Sequence, residues 1–217
     1  MRNLKTQKIV GCKWVFKRNE GISGLDDARF KAHLVANGHT QKEGVGFNEV
    51  FSLVVKHNSI GVLLVMVVLF NLELDQLDVK TTFLHDKLEE QIYMHQPKGF
   101  IISRKENHVC LPKKSLYGLK QSPRQWYKRF DTFIIGNGHH KSEYDNCVHH
   151  KELFDYSFIY LLLYVDDMLI FYKNMSEINK LKTQLQEEFE IKDLGVVKKI
   201  LGMKIHRDVE AGQLYLS

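Results

Sequence analysis

The sequence predicts an α+β fold with a mainly antiparallel sheet. Three observations point to it: short β-forming segments fall in neighbouring pairs, three helical segments are spaced among them without strict strand–helix alternation, and the densest β-forming run carries a break at its centre. In chain order, KIVGCKWVFKRN, a Gly- and Asp-containing break at Glu20 to Asp27, and ARFKAHLVANG read as two strands joined by a hairpin. Basic residues alternate with apolar ones here (Lys13, Lys17, Arg18, Arg29, Lys31), which suits either a solvated sheet face or a flap that leans on an anionic ligand. Ile60 to Phe70 is apolar nearly all round and reads as a buried helix, with Asn58 and Ser59 as cap candidates.

Leu72 to Val79 alternates as a strand with Asp78 near its end, TTFLH continues as a turn or short helix, and Glu90 to Met94 reads as a second strand. Trp126, Phe130, Phe133 and Ile134 recur at helical spacing over Ser122 to Ile135, and Ser122-Pro123 is a start signal. Phe158 to Tyr172, FIYLLLYVDDMLIFY, reads as a hairpin that bends at Asp166-Asp167. Asn174 with Glu177 resembles a capping box, and Ile178, Leu181, Leu185 and Phe189 share one face of the helix that follows. A last hairpin runs to Ser217.

Composition narrows the class. The 217 residues carry 31 Lys plus Arg against 26 Asp plus Glu, a net charge of +5, and 44% are hydrophobic, so a packed core is expected and a disordered or collagenous chain is excluded. Cys12, Cys110 and Cys147 are few, odd in number and far apart, which fits a reducing compartment rather than a disulfide framework. The N-terminus lacks an apolar signal core, and Ile60 to Phe70 is about half of the roughly 20 residues that span a bilayer, so no membrane role is expected.

Two adjacent carboxylates between long apolar flanks need a neutralising partner, because burying an ionised carboxylate alone costs several kcal/mol. Phe158 to Tyr172 contains no Lys or Arg, and hard oxygen ligands suit a divalent cation such as Mg²⁺. Neighbouring side chains on a strand point to opposite faces, so one of the pair needs the turn to bring it round. Asp78, ending QLDV, is the best third carboxylate. Lys98 to Arg129 holds nine basic residues against the single acidic Glu106, a local excess of +8, with Tyr117, Trp126 and Tyr127 interleaved. Charge of this kind tracks phosphates and planar side chains stack bases, although a solvated helix face explains the charges alone. His139-His140 and Cys147-Val148-His149-His150 fit no zinc spacing, and Asn174-Met175-Ser176 has no signal peptide to make it a glycosylation site.

These segments resemble the reverse transcriptase of copia-type long-terminal-repeat retrotransposon polyproteins. Tyr164-Val165-Asp166-Asp167 looks like the YxDD motif, and GCKWVFK (11–17), FKAHLVANGHTQKEGV (30–45), FSLVVK (51–56), QLDVKTTFLH (76–85), IYMHQPKGF (92–100), KKSLYGLKQSPRQWY (113–127) and KDLGVVKKILGMKI (192–205) match in order. The resemblance implies a right-hand polymerase with a mainly antiparallel palm sheet backed by helices. Fingers would fall at about 8–70 and 98–135, interleaved with palm at about 71–97 and 136–217, with no thumb, connection or ribonuclease H region. It implies RNA-directed DNA polymerase activity on dNTPs, an RNA or DNA template and a primer, using two Mg²⁺ or Mn²⁺ ions, in a cytoplasmic particle or the nucleus. Asp78 and Asp166 would be the main catalytic metal ligands, Asp167 a weaker one, and Val79 would give a backbone carbonyl. Lys31, Lys80, Thr81, Thr82, Tyr117 and Gly118 would contact the nucleotide, with Phe83 as the gate against a 2′-hydroxyl. Lys120, Arg124, Tyr164, Leu201, Gly202 and Met203 would meet template or primer.

The chain departs from the pattern at His33, Asn37, Leu53, Gly61 and Asp86. Those departures keep a catalytically inactive, truncated retrotransposon remnant that at most binds nucleic acid as the alternative, with a two-metal nuclease behind it.

Overall fold

A computed structural model describes residues 9–19, 29–41, 54–80, 82–84, 88–200 and 202–217. The expectations placed on Glu20 to Asp27, Leu53, Thr81, Asp86 and Leu201 lie outside these residues. The described chain divides into two units: Met1–Ser52 with Phe83–Arg129, and Leu53–Thr82 with Phe130–Ser217.

In the first unit, β1 (Cys12–Asn19) and β2 (Arg29–Ala36) pair antiparallel, as the alternation predicts. The register puts Lys13, Val15 and Lys17 on one face with Val35, His33 and Lys31, and Trp14, Phe16 and Arg18 on the other with Leu34, Ala32 and Phe30. β4 (Met94–His95) and β5 (Val109–Cys110) form a two-residue ladder, so the strand expected over Glu90 to Met94 shrinks to its last residue and His95. Val10, Ala36, Ile92, Met94 and Leu119 make this unit's core.

The second unit is built on a six-stranded antiparallel sheet in the order β10 (Ile191–Val196), β3 (Glu73–Val79), β9 (Asp167–Tyr172), β8 (Phe158–Tyr164), β7 (Val148–Glu152), β6 (His140–Lys141). β6, β7 and β10 escaped the sequence reading for one reason. They are edge or near-edge strands with charged and histidine residues in place of apolar alternation, and β10 breaks register between Asp193 and Gly195. β11 (Lys199–Ile200), β12 (Met203–Asp208) and β13 (Gln213–Leu216) form a small antiparallel sheet, one strand more than the predicted hairpin.

Helix α1 (His57–Leu69) starts earlier than predicted. Asn58 and Ser59 lie inside it, and its cap residue Lys56 makes no side-chain capping bond; instead the Lys56 N–H donates to Asp145 Oδ2 at 2.8 Å and its ammonium to the Tyr144 carbonyl at 2.6 Å. Nor is α1 buried all round. Ile60, Leu63, Leu64 and Val67 join a core with Leu72, Leu74, Leu162, Leu169 and Phe171, while Val62, Val65 and Leu69 are exposed. The unit boundary falls within α2 (Ser122–Gly136), between Arg129 and Phe130. α3 (Met175–Glu188) buries Ile178, Leu181 and Leu185 as expected. Asn174 Oδ1 caps it by accepting from the Ser176 N–H, but Glu177 does not close a capping box and pairs with Lys180 at 2.6 Å.

Candidate active site

The acidic hairpin turns one residue earlier than predicted. Tyr164 pairs with Asp167, so the two-residue turn is Val165-Asp166 and Asp167 already belongs to β9. Val165 has φ +55, a left-handed conformation that β-branched residues avoid. This tight turn answers the objection that adjacent strand residues face opposite ways, because Asp166 is not in a strand. Its carbonyl accepts the Val79 N–H at 2.9 Å, which fastens the turn to the end of β3.

Asp78 sits on β3 directly across from Asp167 on one side and from Lys192 of β10 on the other. The sequence reading missed Lys192, since β10 itself was not foreseen. Three carboxylates are therefore gathered at adjoining strand ends. Burial pushes the Asp166 carboxyl above the usual carboxylate range, against a lowering hydrogen bond from Thr82, and the charges of Asp78 and Asp167 push it further up. Asp166 Oδ1 is buried with no hydrogen-bond partner. Asp167 Oδ1 instead accepts from Gln76 Nε2 at 3.0 Å.

Oxygen donors of this type suit Mg²⁺, and an orphaned buried carboxylate oxygen among like charges is what a divalent cation would satisfy. Among the described residues no three His, Cys, Asp or Glu side chains form a ready-made metal-binding group. The carboxylates of Asp78, Asp166 and Asp167 are the side chains here that could hold such a cation. The Val79 carbonyl accepts Thr82 Oγ1 at 2.9 Å and retains a second lone pair. The Lys80 amide, expected to face a triphosphate, donates to the Glu190 carbonyl at 2.8 Å, and the Lys80 ammonium stands 3.5 Å from the Glu190 carboxylate.

The remaining predicted nucleotide contacts lie in the first unit. Lys17 and Lys31 face each other directly across the β1–β2 ladder, a like-charge pair that destabilises a sheet unless an anion bridges it. On the same face, His33 meets Tyr117 edge-on at 5.5 Å between ring centroids, and Tyr117 meets Phe83 edge-on at 5.0 Å. Gly118 has φ +87, and a Cβ there would stand 2.2 Å from the Ala36 carbonyl oxygen, so this backbone demands glycine whatever it binds. Lys120 gives its N–H to Gln41 Oε1 at 3.1 Å, and Arg124 is exposed.

Trp126 is only 2% exposed, so it is a core residue and cannot stack on bases. Sequence reasoning overlooked a different aromatic row. Trp14 lies 6.5 Å from Phe16 with rings 25° apart and 5.7 Å from Phe100, while the Arg18 guanidinium stands 5.9 Å over Phe30. Phe16, Phe30 and Phe100 are 75%, 78% and 67% exposed. In the second unit, Tyr164 is half-buried beside the core, and Gly202 (φ +88) with Met203 turns β11 into β12.

The family model described as "Reverse transcriptase (RNA-dependent DNA polymerase)" matches residues 1–217. The chain belongs to the reverse transcriptase family. It is similar to the retrovirus-related Pol polyprotein from transposon TNT 1-94 of Nicotiana tabacum, 50% identical over 214 residues that make up 98% of this chain and 16% of that polyprotein. The Pol polyprotein from transposon RE1 of Arabidopsis thaliana is 36% identical over 92% of this chain and 13% of its own length. The putative transposon Ty5-1 protein of Saccharomyces cerevisiae is 33% identical over 60% of this chain and 42% of its own length. This reverse transcriptase domain thus spans about a sixth or less of the two plant polyproteins. Among the described residues, no helix is long and apolar enough to cross a membrane.

Proposed function

We propose that the chain acts as the fingers and palm of a reverse transcriptase, adding deoxynucleotides to a primer along an RNA or DNA template. The observation that carries this reading is the buried, unpartnered Asp166 Oδ1 on a strained turn next to Asp78 and Asp167. The first unit is read as fingers and the second as palm. That moves α1 from fingers to palm, because it shares a core with β3, β8 and β9. No element among the described residues is assigned to a thumb.

Asp78 and Asp166, with the Val79 carbonyl and only indirect support from Asp167, would hold the divalent cations, two Mg²⁺ or Mn²⁺, whose Lewis acidity activates the primer 3′-hydroxyl and neutralises charge on the leaving phosphates. The chain's own residues do the rest. Lys17 and Lys31 take up the triphosphate anion between them. The Phe83 ring, buttressed by Tyr117, would be the side chain that excludes a 2′-hydroxyl. Lys120 and Arg124 neutralise backbone phosphates, and Tyr164, Gly202 and Met203 steady the primer end. The exposed Phe16, Phe30 and Phe100, with the half-buried Trp14 beside them, supply the stacking surface first looked for at Trp126.

Primer extension by the full chain on an RNA template with Mg²⁺ tests this. Wild type extends the primer, and Asp78→Asn or Asp166→Asn each lowers the rate by roughly 10²–10³-fold or more, the loss expected when transition-state charge stabilisation goes. Extension that survives Asp166→Asn overturns the assignment. Salt-sensitive binding of primer–template by wild type without any extension identifies a nucleic-acid-binding remnant instead, and cleavage without added nucleotides identifies a nuclease.

A further inference from the structure

We propose that Gln76 is a positioning residue that holds Asp167 out of the cation-binding set and so divides the labour among the three carboxylates. The inference rests on the reading of Asp78 and Asp166 as the cation-holding pair. Gln76 lies two residues before Asp78 on β3, hence on the same face, and pairs across the ladder with Leu169, two residues after Asp167. Its Nε2 donates to Asp167 Oδ1 at 3.0 Å. A carboxylate only accepts, so the amide nitrogen rather than its oxygen must face Asp167.

Asp78 and Asp167 are like charges directly opposite on one face, an arrangement that costs a sheet stability and that a hydrogen bond drawing one carboxylate aside relieves. The Gln76 amide draws the Asp167 carboxylate back along β3, away from the strand end where Asp166 Oδ1 waits without a partner. Gln76, Tyr164, Asp167 and Lys199 share one small cleft with four aliphatic side chains, so the carboxylate keeps polar neighbours there within a mostly apolar lining. A neutral amide suits this task better than an ammonium. It orients Asp167 without adding a further positive charge to those of Lys192, across from Asp78, and Lys199, in the same cleft.

The test is a double-mutant cycle on Mn²⁺ affinity, read by water-proton relaxation on the full chain without nucleotide. Asp167→Asn is measured in the wild-type and Gln76→Leu backgrounds, with Asp166→Asn alongside and the unfolding midpoint recorded for every variant. Gln76→Met, which keeps the side-chain length, replaces Leu should the latter fail to fold. Once Gln76 no longer holds it, Asp167 joins the cation, so Asp167→Asn weakens Mn²⁺ binding at least about fivefold more in the Gln76 variant than in wild type. Equal effects in the two backgrounds, with Asp166→Asn still weakening binding, overturn the role of Gln76 alone. No Mn²⁺ uptake by wild type, or uptake indifferent to Asp166→Asn, overturns the cation-site reading and this inference with it.

Discussion

At the scale of single residues, the site rests on backbone conformations that side chains normally avoid. A left-handed Val165 costs roughly 1–2 kcal/mol against an ordinary conformation, and it persists because β8 and β9 fix both ends of a two-residue turn. What the strain secures is Asp166 at the tip rather than within a strand. Gly118 is the opposite case, a residue chosen to avoid strain: φ +87 and the 2.2 Å approach of a would-be Cβ to the Ala36 carbonyl leave no room for a side chain. Gly118→Ala is therefore expected to destabilise the chain by at least about 1–3 kcal/mol in urea unfolding. A change under about 0.5 kcal/mol, the scatter of neutral surface substitutions, would show that the contact is easily relieved.

At the scale of elements, one partly buried ionic network ties α3 to the strand that carries Asp78. Lys182 on α3 reaches Asp75 Oδ2 on β3 at 2.5 Å and Asp193 Oδ2 on β10 at 2.8 Å, and the Tyr172 hydroxyl donates to Asp75 Oδ2 at 3.1 Å. Asp75 faces away from the carboxylate site, so a single strand is clamped by α3 on one face and presents its acids on the other. Burial opposes the charge on Lys182, but its bonds to Asp193 and Asp75 win and hold the ammonium above its ordinary range. Lys182→Met strands a buried Asp75 carboxylate and is expected to cost roughly 3–5 kcal/mol. Adding Asp75→Asn should return part of that loss. A single variant as stable as wild type would mean that water reaches Asp75 and that the clamp carries little.

Across the whole molecule, acid should unfold the chain in two stages. Burial, helped by nearby Lys151 and His149, pushes His139 from 6.5 down to about 4, and burial also lowers His149 despite its bond to Asp131 at 2.8 Å. Folded-state values below the unfolded ones mean that the unfolded chain binds more protons between about pH 6.5 and 4. Stability is full above about 6.5 and falls as pH drops, by on the order of 3 kcal/mol for His139 by pH 4. Asp131 and Asp193, held low by their lysine partners against burial, add a second loss below about pH 4. Urea unfolding at pH 7, 5.5 and 4.5 checks this, and His139→Phe should flatten the first stage; an unchanged slope in that variant would contradict it.

The same scale shows what was legible. The hairpins, the three helices and the Asp78 and Asp166-Asp167 pair were readable because apolar periodicity and a costly acidic interruption both leave local marks. β6, β7 and β10 were not, since edge strands made of His, Lys and Asp are held by partners far along the chain. For that reason Lys192 stayed hidden, while Gln76, on a strand that was readable, is brought to Asp167 only by the β3–β9 register. Trp126 misled because helical spacing does not tell a core aromatic from a stacking one.

The central claim is that Asp78 and Asp166 form the cation-holding pair of a polymerase site. Anomalous diffraction from crystals of the full chain grown with Mn²⁺, primer–template and a non-reactive nucleotide tests it most directly. The account predicts a manganese peak bridging the Asp78 and Asp166 carboxylates, with Asp167 still bonded to Gln76. Manganese bound elsewhere, with Asp166 left without a metal, would contradict it.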